Sequence, residues 1–143
     1  MIPAPVFIDS WGWIALGHKK EPRHDEIDEY YRTLREKKAR IYTSDYVLDE
    51  VITLIFRREI FSEALFFVTG ILKAARDGYL TIETVSGTRF AAAWDFRTRF
   101  EDKPRISFTD ITSVVIMAEL GIKRILTEDA HFQQLGKGFQ QAP

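Results

Sequence analysis

The sequence contains no cysteine among its 143 residues. This absence excludes disulfide frameworks, thiolate zinc sites and cysteine nucleophiles together, and it fits a reducing compartment. Long apolar runs are also missing: the longest, residues 64–72, is interrupted by Thr69 and Gly70 and is far shorter than the roughly 20 residues of a membrane span. The first nine residues lack the basic and then apolar pattern of an export signal. We therefore expect a soluble, cytoplasmic protein with no membrane partner.

A net excess of either charge is missing too, since the formal net charge is −1 and the pI is about 6.3. Total charge therefore does not indicate a nucleic-acid binder, and any RNA contact must come from local basic patches. Each candidate patch is also typical of a solvated helix face. The candidates are Lys19 with Lys20, Arg23, Lys37 with Lys38, Arg57 with Arg58, Arg97 with Arg99, and Lys103 with Arg105.

Several common enzyme motifs are absent. The sequence has neither a Gly-rich phosphate loop nor a nucleophile elbow, which argues against NTPases, dinucleotide enzymes and α/β-hydrolases. Its three histidines, His18, His24 and His131, lack the paired spacing of a zinc site, so we interpret them as non-ligands.

What the chain does contain is enough apolar volume for one core. Hydrophobic residues make up 45% of it, including 11 Phe, 5 Tyr and 3 Trp, which suffices without disulfides or a structural metal. Two independent cores would each be unusually small at this length, and no repeat or linker divides the sequence. We expect a single domain over residues 1–143.

The hydrophobic pattern alternates between short apolar strands and amphipathic helices. Strands are predicted at residues 6–8, 40–43, 79–83 and 124–127, and helices at 10–17, 22–38, 46–56, 61–76, 87–100 and 110–119, with a helical turn at 130–135. Strands separated by helices form parallel sheets. The predicted fold class is α/β, with a central parallel β-sheet flanked by α-helices on both faces.

Four acidic residues stand at the ends of these units. Asp9 and Asp129 directly follow the first and last strands, Asp110 begins a helix, and Glu50 lies about one turn into the helix after the second strand. Sites in open α/β sheets lie beyond the carboxyl ends of the strands. Converging carboxylates would repel one another without a cation, and Mg²⁺ and Mn²⁺ prefer hard oxygen ligands. The pattern predicts a site for one or two divalent ions.

Each of these acids also has a purely structural interpretation. Asp9 and Asp129 could cap the helices that follow them, and Glu50 could be a solvated helix residue. Ser107 and Asp110 match a capping box, with serine at the cap and an acid three residues later. Their strength as a functional signal is that all four occur at comparable positions of one small chain.

In order and local context, these residues resemble the PIN-domain family, and especially the toxin ribonucleases of VapC type. The resemblance covers residues from about 5 to 132, and its matching stretches are Val6–Ser10, Thr43–Thr53, Ser107–Asp110 and Ile125–Phe132. It implies a PIN-like domain and a metal-dependent endoribonuclease that binds Mg²⁺ or Mn²⁺ through Asp9, Glu50, Asp110 and Asp129.

The resemblance also implies supporting residues and partners. Ser10 and Thr127 fall where the family often carries small hydroxyl residues, which would hold a carboxylate or a metal-bound water; ordinary capping or turn hydroxyls are an equal alternative. The implied partners are an RNA substrate, a second copy of the chain in a homodimer, and a cognate antitoxin that blocks the acidic crevice, as in a type II toxin-antitoxin pair.

Two other functions stay open from the sequence. A phosphoacceptor signalling domain would use Asp9 and Asp110, but a clear acidic pair at the first strand and a well-placed lysine after the last strand are missing. A non-catalytic PIN-like interaction module would keep the fold and sequester RNA or protein. Phosphorylation by a small phosphodonor would identify the signalling domain, and metal-dependent RNA cleavage would identify the enzyme.

Overall fold

A five-stranded sheet forms the centre of the chain. The structure, a computed structural model, describes residues 3–135 and 137–143, except for the side chains of Ala130, His131 and Gln134. The strands are β1 (Val6–Ile8), β2 (Ile41–Ser44), β3 (Thr81–Glu83), β4 (Arg124–Leu126) and β5 (Gln140–Ala142). The α-helices are α1 (Ser10–Gly17), α2 (His24–Glu36), α3 (Asp45–Arg58), α4 (Phe61–Arg76), α5 (Gly87–Arg97) and α6 (Phe108–Leu120), and a 3₁₀ helix covers Ala130–Leu135.

All the strand pairs are parallel, in the order β3-β2-β1-β4-β5. The chain runs from β1 outward to β3, and then crosses back to β4 on the other side of β1. Because crossovers of parallel strands are right-handed, this reversal places α5 and α6 on the opposite face of the sheet from α1 to α4. Most helix contacts agree, since α1 packs on α2 and α3, α3 on α4, and α5 on α6; in addition, α3 contacts α6. The predicted α/β fold class is confirmed.

Strand β5 is the element that the sequence did not predict. It consists of Gln140, Gln141 and Ala142, which lack the apolar alternation of a strand, and it pairs with β4 at the edge of the sheet. Ala142 is its one buried residue. Pairing with a preformed neighbour, rather than local hydrophobic pattern, therefore explains this strand.

The boundaries of some predicted elements also shift. Helix α6 begins at Phe108, two residues before the predicted start, because the Ser107 hydroxyl caps it by accepting a hydrogen bond from the Asp110 amide at 3.0 Å. Helix α5 ends at Arg97 instead of Phe100. Strand β3 begins at Thr81, because the chain first leaves α4 through Gly78, whose positive φ of 86° suits a glycine.

Strand β1 is buried in full and β4 is buried at two of its three residues, as expected of parallel strands covered on both faces. Phe7 and Ile8 of β1 and Ile125 and Leu126 of β4 are all 0% exposed. Helix α1 lies very close to these strands at Gly12, where an added Cβ would stand 2.8 Å from Ile8 Cγ2 and 3.0 Å from the Leu126 carbonyl oxygen. Glycine thus permits the close approach that fixes the start of α1 at the edge of the sheet.

Two of the histidines have structural hydrogen bonds. His18 Nδ1 lies 2.7 Å from Glu59 Oε1, and His24 Nδ1 lies 2.7 Å from the Ala15 carbonyl oxygen. The side chain of His131 is outside the described residues. No α-helix within residues 3–135 and 137–143 combines the length and apolar composition that a bilayer crossing requires.

Candidate active site

The candidate site lies where the strand order reverses, between the carboxyl ends of β1 and β4. Such a reversal opens a crevice because the connections leave the two neighbouring strands in opposite directions. Ile8 pairs with Leu126 in register, and the Asp9 amide donates a hydrogen bond to the Leu126 carbonyl oxygen at 3.3 Å. Asp9 and Thr127 therefore leave the sheet side by side.

A pocket of about 450 Å³ occupies this crevice, and we call it the acidic pocket. All four acids predicted from the sequence line it, although they come from four separate parts of the chain. The lining residues are Asp9, Ser10, Trp11, Glu50, Ser107, Asp110, Thr127, Glu128 and Asp129. The structure thus brings every candidate site residue to one place.

Asp9 is the most deeply buried of these acids, with 5% of its surface exposed. It is the N-cap of α1, where its carboxylate accepts a hydrogen bond from the Gly12 amide at 3.1 Å. Burial raises the pKa of Asp9 to about 7, against the opposing hydrogen bonds from the Thr127 hydroxyl and the Gly12 amide, and the charges of Asp110 and Asp129 raise it further. The capping role foreseen for Asp9 is real, and it holds the carboxylate at the pocket.

Asp110 stands in the first turn of α6. Its carboxylate accepts hydrogen bonds from the Ser107 hydroxyl and backbone amide, which completes the capping box foreseen as an alternative. Burial nevertheless raises the pKa of Asp110 to about 6, and the charges of Asp129 and Glu50 contribute. Capping and the pocket therefore use the same side chain.

Glu50 and Asp129 complete the acidic wall. Glu50 is partly buried and lies about one turn after the fully buried Val47 in α3. The amide of Asp129 donates a hydrogen bond to the Thr127 hydroxyl at 3.0 Å, which shapes the turn after β4. Because Asp129 raises the pKa of both Asp9 and Asp110, and Glu50 that of Asp110, all four carboxylates interact electrostatically.

The donor set of the pocket fits a hard divalent cation. Its described lining consists mainly of carboxylates and hydroxyls and includes no Lys or Arg. No basic lining residue therefore compensates the negative charge of the buried acids or their mutual repulsion. Among the described residues, no three Asp, Glu or His side chains are grouped closely enough to hold one ion together. The acids share a pocket without forming a compact cluster, and Mg²⁺ is usually bound by one or two carboxylates together with water.

The two supporting hydroxyl residues also lie at the pocket. Thr127 is fully buried, and its hydroxyl both contacts the Asp9 carboxylate and accepts from the Asp129 amide, so it links two acids. Ser10 is the first residue of α1 and lines the pocket. Trp11 and Glu128 line it as well, although no role was predicted for either from the sequence. Their closeness in sequence to Asp9 and Asp129 is the feature that could have indicated them.

Relatives of this chain are known. The 23S rRNA-specific endonuclease VapC20 of Mycobacterium tuberculosis is 28% identical over 131 residues, which cover 92% of this chain and 94% of that protein. The crystal structure of VapC20, a sarcin-ricin loop cleaving toxin, matches with a TM-score of 0.77 over 92% of this chain and 95% of that one.

A more distant match shows the fold alone. VapBC2 from Rickettsia felis, solved with a DNA fragment from its promoter, superposes with a TM-score of 0.73 at 14% identity, over 96% of this chain and 98% of that one.

The family model described as the PIN domain matches residues 6–138. These matches confirm the resemblance predicted from the four sequence stretches. The chain belongs to the PIN-domain family.

Proposed function

We propose that the protein is an endoribonuclease of VapC type, the toxin of a toxin-antitoxin pair, which hydrolyses RNA phosphodiester bonds with Mg²⁺ or Mn²⁺ in the acidic pocket. The observation that carries the proposal is the meeting of Asp9, Glu50, Asp110 and Asp129 at the strand reversal. Family membership and similarity to an endonuclease favour this function over a phosphoacceptor domain. RNA as the substrate and the absence of cysteine fit activity in the cytoplasm.

The side chains of the pocket have different roles in the proposed reaction. Asp9 and Asp110 are each fixed by hydrogen bonds at a helix start, so they are suited to hold the cation in a constant position. A divalent ion held by these residues would supply an acidified water and would neutralise charge on the phosphate. Glu50 and Asp129, which are less buried than Asp9, are placed to orient water and accept its proton. Thr127 keeps the Asp9 carboxylate oriented through its hydroxyl.

Ribosomal RNA is the substrate that we propose to test first. The relative VapC20 is a 23S rRNA-specific endonuclease, and this chain is similar to it over nearly its full length. Cleavage of 23S rRNA should be compared with cleavage of transfer RNA and messenger RNA, because the acidic pocket itself contacts phosphates through a cation and does not select a base sequence.

The test is cleavage by the purified protein in Mg²⁺, in Mn²⁺ and in EDTA. A matched pair of variants is available in α3: Glu50→Gln removes a pocket acid, while Asp49→Asn neutralises its exposed neighbour outside the pocket. We expect cleavage only with metal, lost in Glu50→Gln and kept in Asp49→Asn. Equal cleavage in EDTA, or by Glu50→Gln, contradicts the proposal, and RNA binding without cleavage would favour the interaction module.

Two apolar surfaces support the proposed protein partners. Helix α4 exposes 70% of Phe61, 50% of Leu65 and 49% of Leu72 on one side, and exposed apolar stripes of this kind mark protein interfaces. We assign this stripe to a homodimer, which a Phe61→Asp variant should split in light scattering. A groove of about 280 Å³ between α1, α2 and α4, lined by Leu16 and Phe66 among others, suits an apolar segment of an antitoxin.

A further inference from the structure

Trp11 is the one aromatic residue in the described lining of the acidic pocket. It lies two residues after Asp9, in the first turn of α1, and is only partly buried. An indole is a large apolar surface, and the rest of this lining is carboxylates and hydroxyls. The ring is therefore available to a ligand that also reaches the acids.

The ring is held in place by Arg23. The Arg23 guanidinium carbon lies 5.2 Å from the centre of the Trp11 ring, a cation–π distance. The guanidinium is fixed in turn by Glu26, which it contacts through Nε at 2.9 Å and Nη2 at 2.8 Å. Arg23 is not part of the pocket lining. It consequently contacts the ring without lining the pocket itself.

We propose that Trp11 stacks on a base of the RNA substrate next to the phosphate that is cleaved, with Arg23 as the residue that positions the ring. The proposal rests on the proposed nuclease function, because that function puts a phosphate at the acids and hence a neighbouring base within reach of Trp11. Stacking on an aromatic ring requires an unpaired base, since bases within a duplex are already stacked. The substrate class is therefore single-stranded or looped RNA.

Tryptophan fluorescence tests the contact without any need for cleavage. The chain has three tryptophans. Trp13 is 1% exposed and donates its indole N–H to Thr43 at 3.0 Å, which shields it from ligand, and the exposed Trp94 can be removed as Trp94→Phe. In that variant, a hexamer of adenylate in Ca²⁺ should quench the emission of Trp11. An abasic hexamer with the same phosphates should bind without quenching.

Kinetics of RNA cleavage give a second, independent measurement. Loss of one stacked base costs roughly 5- to 150-fold, so Trp11→Ala should raise KM at least about fivefold on looped RNA, with a smaller change in kcat. Trp11→Phe keeps an aromatic face and should stay within about threefold of the wild type. A purely structural role for Trp11 predicts equal losses on normal RNA and on RNA made abasic beside the cut, whereas stacking predicts a loss only on normal RNA.

The outcomes separate this proposal from the proposed function. If the wild type cleaves RNA but the hexamer leaves Trp11 emission unchanged and Trp11→Ala keeps its KM, stacking is overturned and the nuclease stands. If the hexamer quenches Trp11 and no RNA is cleaved in Mg²⁺ or Mn²⁺, the nuclease is overturned and base binding at Trp11 stands.

Discussion

The pKa of a carboxylate is shifted in opposite directions at the two ends of helix α6. At its start, the pKa of Asp110 is raised to about 6 by burial and by Asp129. Near its end, the pKa of Glu119 is lowered by its hydrogen bond with Arg89. The helix dipole alone would do the reverse, because it stabilises negative charge at the N-terminus and destabilises it at the C-terminus. The dipole is therefore outweighed at both ends, by burial and neighbouring charges at Asp110 and by the hydrogen bond from Arg89 at Glu119.

The surroundings of Asp110 and Glu119 differ in the source of the positive charge that can neutralise the carboxylates. Arg89, 14% exposed, donates to Glu83 at 3.0 Å, to the Thr84 carbonyl at 2.8 Å, and to Glu119; we call this group the Arg89 cluster. The cluster contains its own cation and ties β3, α5 and α6 together. The acidic pocket has no Lys or Arg in its described lining. A structural site is neutralised from within, and the pocket is suited to a cation from solution.

The largest expected effect separates the two ends of α6 by activity. Asp110→Asn keeps the size of the side chain and removes its charge, so we expect RNA cleavage in Mn²⁺ to fall by about 100-fold or more. Glu119→Gln, the matched change at the other end, should remain within about threefold of the wild type. Initial rates on one RNA measure both. Comparable losses in the two variants would mean that α6 acts as a whole and that the pocket has no special role.

The second prediction concerns stability against pH in EDTA. Asp9 has a pKa of about 7 in the folded protein, against an ordinary value of 3.8, so the folded state binds more protons between these values and stability falls as pH rises through them. Asp9→Asn removes this penalty and should raise the free energy of unfolding by about 2 kcal/mol at about pH 8, with little effect at about pH 4. Urea unfolding at both pH values measures it.

For Glu119→Gln we expect a change in the free energy of unfolding of the opposite sign. The pKa of Glu119 is depressed in the folded protein, so its contribution is present above the unfolded pKa and is lost as pH falls. This variant should be slightly less stable than the wild type at neutral pH. A gain of stability in both variants would contradict the distinction between the pocket and the Arg89 cluster.

A third prediction removes the cation of the cluster. Arg89→Met keeps much of the apolar volume but leaves the partly buried Glu83 without its partner, and we expect a loss of about 1–2 kcal/mol in the free energy of unfolding. Cleavage per folded molecule should be unchanged, because the cluster lies outside the pocket. Thermal unfolding and cleavage rates on the same preparation test both parts. A large fall in cleavage with intact stability would connect the cluster to the chemistry.

The smallest effect is stabilisation by metal. At Mn²⁺ about ten times above its Kd, binding to the folded state contributes roughly 1.4 kcal/mol, which raises Tm by about 5 °C in a chain of this size. The rise should be smaller at about pH 5, where protons compete for Asp9 and Asp110, and absent in Asp9→Asn. Glu119→Gln should respond like the wild type. The same rise in Asp9→Asn would place the ion elsewhere.

The sequence predicted four of the five strands, the six α-helices and the meeting of the four acids at one edge of the sheet, because most of these signals are local. Strands such as Val6–Ile8 are continuous apolar runs, and acids directly after strands follow from the geometry of parallel sheets. Strand β5 escaped prediction because its pairing with β4 is tertiary. The place of Arg23 against Trp11 also depends on how the loop after α1 returns to the pocket, and no spacing in the sequence records that contact.

The most direct measurement is a crystal structure of the protein soaked in Mn²⁺ at about pH 8, with an anomalous difference map. We predict a peak inside the acidic pocket, coordinated by at least one of Asp9 and Asp110, and loss of that peak in Asp9→Asn crystals. An empty pocket in the wild type at saturating Mn²⁺, or a peak only at the Arg89 cluster or elsewhere on the surface, would contradict it.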